Sequence, residues 1–136
     1  MVELVTKGLG SAADVIAPDG CEVRILAISA RGSMAHFTLG PGQVSRAVCH
    51  RTVEELWYFL TGEGRMWRRL GERSEIVEVA PGTSIAIPTG AWFQLRNDGQ
   101  EPLAAVAVTP GRLELSLPDG SGMEFRSVAG AAEVAE

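Results

Sequence analysis

The sequence predicts an all-β protein that folds as a sandwich or a barrel. Short runs rich in β-branched and aromatic residues alternate with turn-forming segments, which account for many of the 16 glycines and 7 prolines. Regular turns around short strands are typical of sandwiches and barrels. No segment keeps a helical period over the roughly 10–12 residues that indicate a helix. Both observations favour strands throughout the chain.

The predicted strands follow from the turns that bound them. Gly40-Pro41-Gly42 ends one run, Pro81-Gly82 separates two more, and Asn97-Asp98-Gly99 predicts a hairpin turn because Asn and Gly tolerate positive φ. Strands are expected at 22–29, 33–39, 44–50, 55–60, 64–70, 74–80, 83–87, 92–96, 103–109 and 112–117.

Length and charge limit the function classes. A chain of 136 residues is expected to form one domain over 1–136, with a core at about 33–110 and peripheral segments at 1–20 and 128–136. The net charge of -5 argues against nucleic-acid binding. No apolar run approaches the roughly 20 residues that span a bilayer, so no membrane association is expected. The start of the chain lacks signal-peptide features, and we expect a cytoplasmic protein.

Two segments carry a spaced pattern of glycines and polar residues. In the first, Gly42 is followed after five residues by Val48-Cys49-His50, then after four by Glu55 and after six by Gly62. The glycines are turn residues. His50 and Glu55 are the side chains in this segment that could bind a metal or transfer a proton.

The second segment has a similar spacing of turn-forming residues. Gly82 is followed after five residues by Pro88-Thr89-Gly90, then after two by Phe93 and after three by Asn97. The glycines and the proline again predict turns. Phe93 offers no ligand atom.

The two segments resemble the two signature motifs of the cupin superfamily. The resemblance covers about residues 33–110 and is to small single-domain bacterial cupins. It implies a double-stranded β-helix, or jelly-roll barrel, with a site in its mouth. Two motifs at the correct separation make the resemblance specific.

In cupins, His-x-His and Glu of the first motif and a His of the second converge on one divalent metal. His50 matches the second His and Glu55 the carboxylate, whereas Val48 and Phe93 stand at the other two His positions and cannot bind a metal. Two ligands fall short of the three that an open metal site needs. We therefore expect no tightly bound metal cofactor; a divalent transition metal, if one binds, would use His50 and Glu55. Three further side chains could complete an unusual site: His36, Cys49 and Gln94.

Strand alternation predicts which side chains line the interior. Residues two apart on a strand share a face, so Arg46 should accompany Val48 and His50, and Trp57 should accompany Glu55. Arg46 is near the start of its strand, and the alternative is that its side chain reaches solvent. An apolar cavity with a few polar groups is typical of a small-molecule site. The predicted lining is Arg46, Val48, His50, Glu55, Trp57, Phe59, Phe93 and Leu95.

The sequence leaves several functions open. The preferred hypothesis is a protein that binds a small molecule in its barrel. The alternatives are a metal-independent isomerase or cyclase that uses His50 and Glu55 as catalytic acid and base, and a metalloenzyme with a non-standard site. His50 and Glu55 could also be a relic that only supports packing. A homodimer is expected, because small cupins often pair sheet edges.

Overall fold

The computed structural model describes residues 3–110, and every regular element in this range is a β-strand. In this part of the chain there is no helix of the length and apolarity needed to cross a membrane. All strand pairs are antiparallel. The strands are β1 (Val15–Ile16), β2 (Glu22–Ile28), β3 (Gly32–Leu39), β4 (Val48–Cys49), β5 (Glu55–Thr61), β6 (Gly64–Leu70), β7 (Arg73–Val79), β8 (Ser84–Ile87), β9 (Trp92–Asn97) and β10 (Leu103–Pro110).

Each predicted strand that falls within the described residues overlaps an observed one. The run 44–50 is the poorest match, because only Val48–Cys49 is a strand and Val44 makes an isolated bridge to Arg96. The short β1 was not predicted. The predicted strand at 112–117 and the peripheral segment 128–136 lie outside the described residues.

Two sheets enclose the core. One has six strands in the order β1-β2-β3-β10-β5-β8, and the other has four in the order β4-β9-β6-β7. Alternation along β5 places Trp57 and Phe59 inside and Leu56 and Tyr58 outside, as a strand with one solvated face requires. The apolar core draws side chains from both sheets, so the two inner faces pack together.

The segment after β9 is not a hairpin, which corrects the prediction from Asn97-Asp98-Gly99. β9 belongs to the four-stranded sheet and β10 to the six-stranded one, so the segment crosses between sheets. The turn chemistry itself is present: Asn97 Oδ1 accepts the Gly99 N–H at 2.8 Å. Asn97 Nδ2 also donates to the Leu39 carbonyl at 3.0 Å, which ties the crossing to β3.

Candidate functional site

Glu55 begins β5 and points into the barrel, with only 2% of its surface exposed. Trp57, two residues along the same strand, donates its indole N–H to Glu55 Oε1 at 3.0 Å. Thr109 on the neighbouring β10 donates its hydroxyl to Oε2 at 3.4 Å. Both oxygens of this buried carboxyl group therefore have protein donors, as burial demands.

His50 lies just after β4 and is also buried, at 3% exposure. Its Nε2 is 3.4 Å from Glu55 Oε1. Its backbone carbonyl accepts the Gly90 N–H at 2.8 Å, so a glycine of the second motif helps to position the histidine of the first. The two sequence segments are thus joined at the site, and the imidazole and carboxyl groups lie side by side there.

Val48 and Phe93, which stand at the two positions without a histidine, lie side by side. They are cross-strand partners on β4 and β9, and each is 3% exposed. The Phe93 ring lies 5.5 Å from the His50 ring and 6.0 Å from the Trp57 ring. An apolar wall therefore takes up the space beside His50.

The described residues do not fit a four-ligand metal centre. Within residues 3–110, no group of three His, Cys, Asp or Glu side chains is arranged to hold a metal ion. The sequence candidates are dispersed: His36 faces the other side of β3 and lies 3.5 Å from the Thr38 hydroxyl. Gln94 lies between the inward-facing Phe93 and Leu95 and donates to the Ser45 carbonyl at 2.9 Å.

The aromatic residues of the predicted lining, together with Leu95, lie inside the barrel. Trp57, Phe59, Phe93 and Leu95 are all buried core side chains. Trp57 also stacks on Phe37, with ring centroids 5.0 Å apart and an interplanar angle of 17°. Stacked and tilted aromatic contacts of this kind stabilise the core beyond area burial alone.

The prediction for Arg46 is wrong, because its side chain is exposed. The strand predicted over 44–50 begins only at Val48, so alternation does not extend back to position 46. The Arg46 backbone N–H instead donates to the Asp19 carbonyl at 2.8 Å. The interior therefore has no arginine from this segment.

Asp19 was missed by the sequence analysis, although it lies near His50 and Glu55. It occupies the turn between β1 and β2, is 7% exposed, and accepts the Cys21 N–H at 2.9 Å. Burial raises the pKa of Asp19; the Glu55 charge also raises it, whereas His50 lowers it. Pro18-Asp19-Gly20 reads as an ordinary surface turn, so the sequence carries no signal of this burial.

Stability should depend on pH through Asp19. Its pKa is raised above the ordinary value of 3.8, so the folded state favours the protonated form. That contribution is present below the unfolded pKa and is lost as pH rises through the raised value. Asp19→Asn, which keeps an oxygen for the Cys21 N–H, should therefore gain stability relative to the wild type at neutral pH, and the difference should shrink towards pH 3.8. Urea unfolding of both proteins across this pH range measures the difference in the free energy of unfolding. A difference that stays constant with pH would contradict the role given to Asp19.

Comparison with known proteins identifies a family and a fold that are consistent with two antiparallel sheets. A family model described as "Cupin domain" matches residues 35–109, more than half of the chain. No curated protein gives a significant match.

Solved structures with the same fold include proteins of similar length and longer enzymes. BH2720 from Bacillus halodurans is 17% identical with a TM-score of 0.62, covering 83% of this chain and 80% of that one. TT1209 from Thermus thermophilus is 27% identical with a TM-score of 0.56, and the match covers 73% of this chain and 90% of TT1209.

Oxalate decarboxylase from Bacillus subtilis is 19% identical with a TM-score of 0.66, covering 83% of this chain and 29% of the enzyme. This chain thus spans less than a third of that enzyme, which has Mn(II) centres of its own. Its likeness shows the fold, a jelly-roll barrel of two antiparallel sheets. On the match over residues 35–109, the chain belongs to the cupin family.

Proposed function

We propose that this protein is a cupin that binds a small molecule inside its barrel, beside His50 and Glu55, without a tightly bound metal. One observation carries the proposal: the Trp57 indole N–H lies 3.0 Å from Glu55 Oε1, the same oxygen that is 3.4 Å from His50 Nε2. A carboxylate oxygen has about two acceptor directions. The indole N–H occupies one of these directions, so this oxygen has fewer electrons to offer to a cation beside His50.

The surroundings of the pair indicate the chemistry of the ligand. Phe37, Trp57 and Phe93 supply aromatic surface close to His50 and Glu55. Small-molecule sites combine such apolar surface with a few polar groups that fix orientation. The ligand is therefore a small, partly aromatic or apolar metabolite with one polar group that meets the histidine or the carboxylate.

The 3.4 Å distance between His50 Nε2 and Glu55 Oε1 also favours a second candidate function, metal-independent acid/base catalysis. A buried imidazole and carboxyl pair can remove a proton from one atom of a substrate and return it to another. Isomerisation and cyclisation need no redox step and suit this pair. In that case His50→Ala and Glu55→Gln abolish turnover and leave the fold intact.

The binding proposal is tested with the two histidines of the chain. Metabolites that raise the melting temperature of the wild type are identified in a thermal-shift screen and then titrated by calorimetry. His50→Ala should weaken binding at least about tenfold, since it removes a buried polar partner. His36→Ala is the matched control, because His36 faces the opposite side of its strand, and its affinity should equal that of the wild type.

Two results would contradict the proposal. Equal affinities of the His50→Ala variant and the wild type would place the ligand elsewhere. A transition metal near one per chain, in protein purified without chelator or affinity tag and lost in His50→Ala, would overturn metal independence. Turnover of a bound metabolite would select the catalytic candidate over pure binding.

A further inference from the structure

Two buried hydroxyl groups lie beside Glu55 on the inner face of the six-stranded sheet. Thr109 on β10 donates to Glu55 Oε2 at 3.4 Å and is the cross-strand partner of Ser33 on β3. Ser33 and Thr109 are exposed by only 3% and 2%. Directly opposite residues share a face of a sheet, so the two hydroxyls and the carboxyl group form one row across β3, β10 and β5. We call Ser33, Thr109 and Glu55 the polar row.

Ser33 is the member of the polar row whose side chain lacks a protein partner. Within residues 3–110, its buried Oγ atom makes no hydrogen bond. Alternation along β3 places Ser33 on the same side as Ala35 and Phe37, which belong to the core, so the hydroxyl points into the barrel. A buried hydroxyl without a partner destabilises the fold, and a polar atom of a bound molecule can supply that partner.

The side chains next to the two hydroxyls leave room for a ring. Ala35 follows Ser33 on the inner face of β3, and its cross-strand partner Ala107 precedes Thr109 on β10. On its other side Ala107 pairs with Trp57, which supplies an aromatic wall. Small side chains, an aromatic wall and a few polar atoms together are typical of a small-molecule site.

Buried acidic groups limit the charge of a ligand at the polar row. Burial raises the pKa of Asp19 and the Glu55 charge raises it further, so these two buried carboxyl groups lie close enough to interact. Among residues 3–110, no Lys or Arg is buried. Arg68, which is partly exposed, already donates to Glu75 at 2.9 Å. A ligand carboxylate would therefore meet like charges, which favours an uncharged ligand.

From these observations we infer that Ser33 and Thr109 select an uncharged ring compound with two hydroxyl groups. One ligand hydroxyl bonds to Ser33 Oγ, and the other donates to Thr109 Oγ1, whose own proton is directed at Glu55. Adjacent strands lie about 4.8 Å apart, so two ligand oxygens at about that separation match the pair, as in a 1,3-dihydroxybenzene. The inference rests on the proposed small-molecule site beside His50 and Glu55 and adds the class of ligand.

Three probes titrated into the isotope-labelled full chain at neutral pH, and followed by chemical shifts, test the inference: resorcinol, phenol and 3-hydroxybenzoate. The wild type should bind resorcinol at least about fivefold more tightly than phenol, because only resorcinol has a second hydroxyl for the buried pair. It should also bind resorcinol at least about fivefold more tightly than 3-hydroxybenzoate, whose carboxylate meets the buried acids.

Ser33→Ala should abolish the preference for resorcinol over phenol and leave the affinity for phenol unchanged. Without a ligand, its melting temperature should be no lower than that of the wild type, because the hydroxyl has no protein partner to lose within residues 3–110. Ser84→Ala is the matched control, because Ser84 is an exposed strand serine of the same sheet, and it should keep the wild-type preference.

Four results would overturn the inference. The first is a wild type that does not bind resorcinol, and the second is one that binds resorcinol no more tightly than phenol or 3-hydroxybenzoate. The third is a Ser33→Ala variant that keeps the preference. The fourth is a lower melting temperature of ligand-free Ser33→Ala, which would assign the hydroxyl a structural role. The proposed function is judged separately: weaker metabolite binding in His50→Ala would uphold it even where Ser33→Ala changes nothing.

Discussion

Gly62→Ala is expected to destabilise the fold by about 3 kcal/mol. Gly62 connects β5 to β6 with φ at 83°, a left-handed conformation that side chains disfavour. A Cβ at this position would also lie 2.6 Å from the Pro102 carbonyl oxygen and 2.8 Å from the Leu103 Cα. Both neighbours are backbone atoms that cannot move without shifting the crossing into β10.

Gly42→Ala separates the two causes. Gly42 also has a positive φ, at 72°, but a Cβ there would meet nothing within 4 Å. It should lose only about 1 kcal/mol, the conformational part alone. Urea unfolding of both variants gives the comparison. Equal losses would mean that the close approach of Pro102 and Leu103 adds nothing to the requirement for glycine.

Trp57→Ala is expected to cost about 3–5 kcal/mol, as for other large aromatic side chains removed from a core. Trp57 is 2% exposed and stacks on Phe37. Its ring centroid lies 6.0 Å from the ring centroids of Phe59 and Phe93. It also supplies the N–H bound to Glu55. The loss therefore combines a cavity with an acceptor that has lost its partner.

Trp57→Phe distinguishes these contributions, because it keeps a ring and removes the N–H. It should cost about 1–3 kcal/mol, the range for a buried polar group without its partner. Guanidinium unfolding followed by circular dichroism measures both variants. A Phe variant as unstable as the Ala variant would show that the bond to Glu55, not aromatic packing, dominates at this position.

The sequence predicted the parts of this fold that depend on local pattern. Turn residues and alternation located the strands, and motif spacing placed Val48 and Phe93 inside the barrel, where they are indeed buried. Arg46 was misplaced because alternation was extended through a segment that is not a strand. Periodicity holds only where the backbone is regular.

The features that the sequence did not predict depend on contacts between segments that are distant in the chain. Asn97 has the turn chemistry expected of it, but which sheet receives the next strand depends on tertiary pairing. Asp19 is buried because a turn from one end of the chain packs beside the segment leading to β4, where Arg46 donates to its carbonyl. The residues next to Asp19 in the sequence do not predict this contact between distant segments.

The direct pairing of Val48 with Phe93 has a consequence for how this barrel could change. The two departures from the family pattern are neighbours in space, so they share one volume on adjacent strands. A histidine substituted at position 48 alone would lie beside a phenyl ring, and one substituted at position 93 alone would lie beside a valine. Replacing these two apolar side chains by metal ligands one at a time would therefore place a polar imidazole against an apolar neighbour on the adjacent strand.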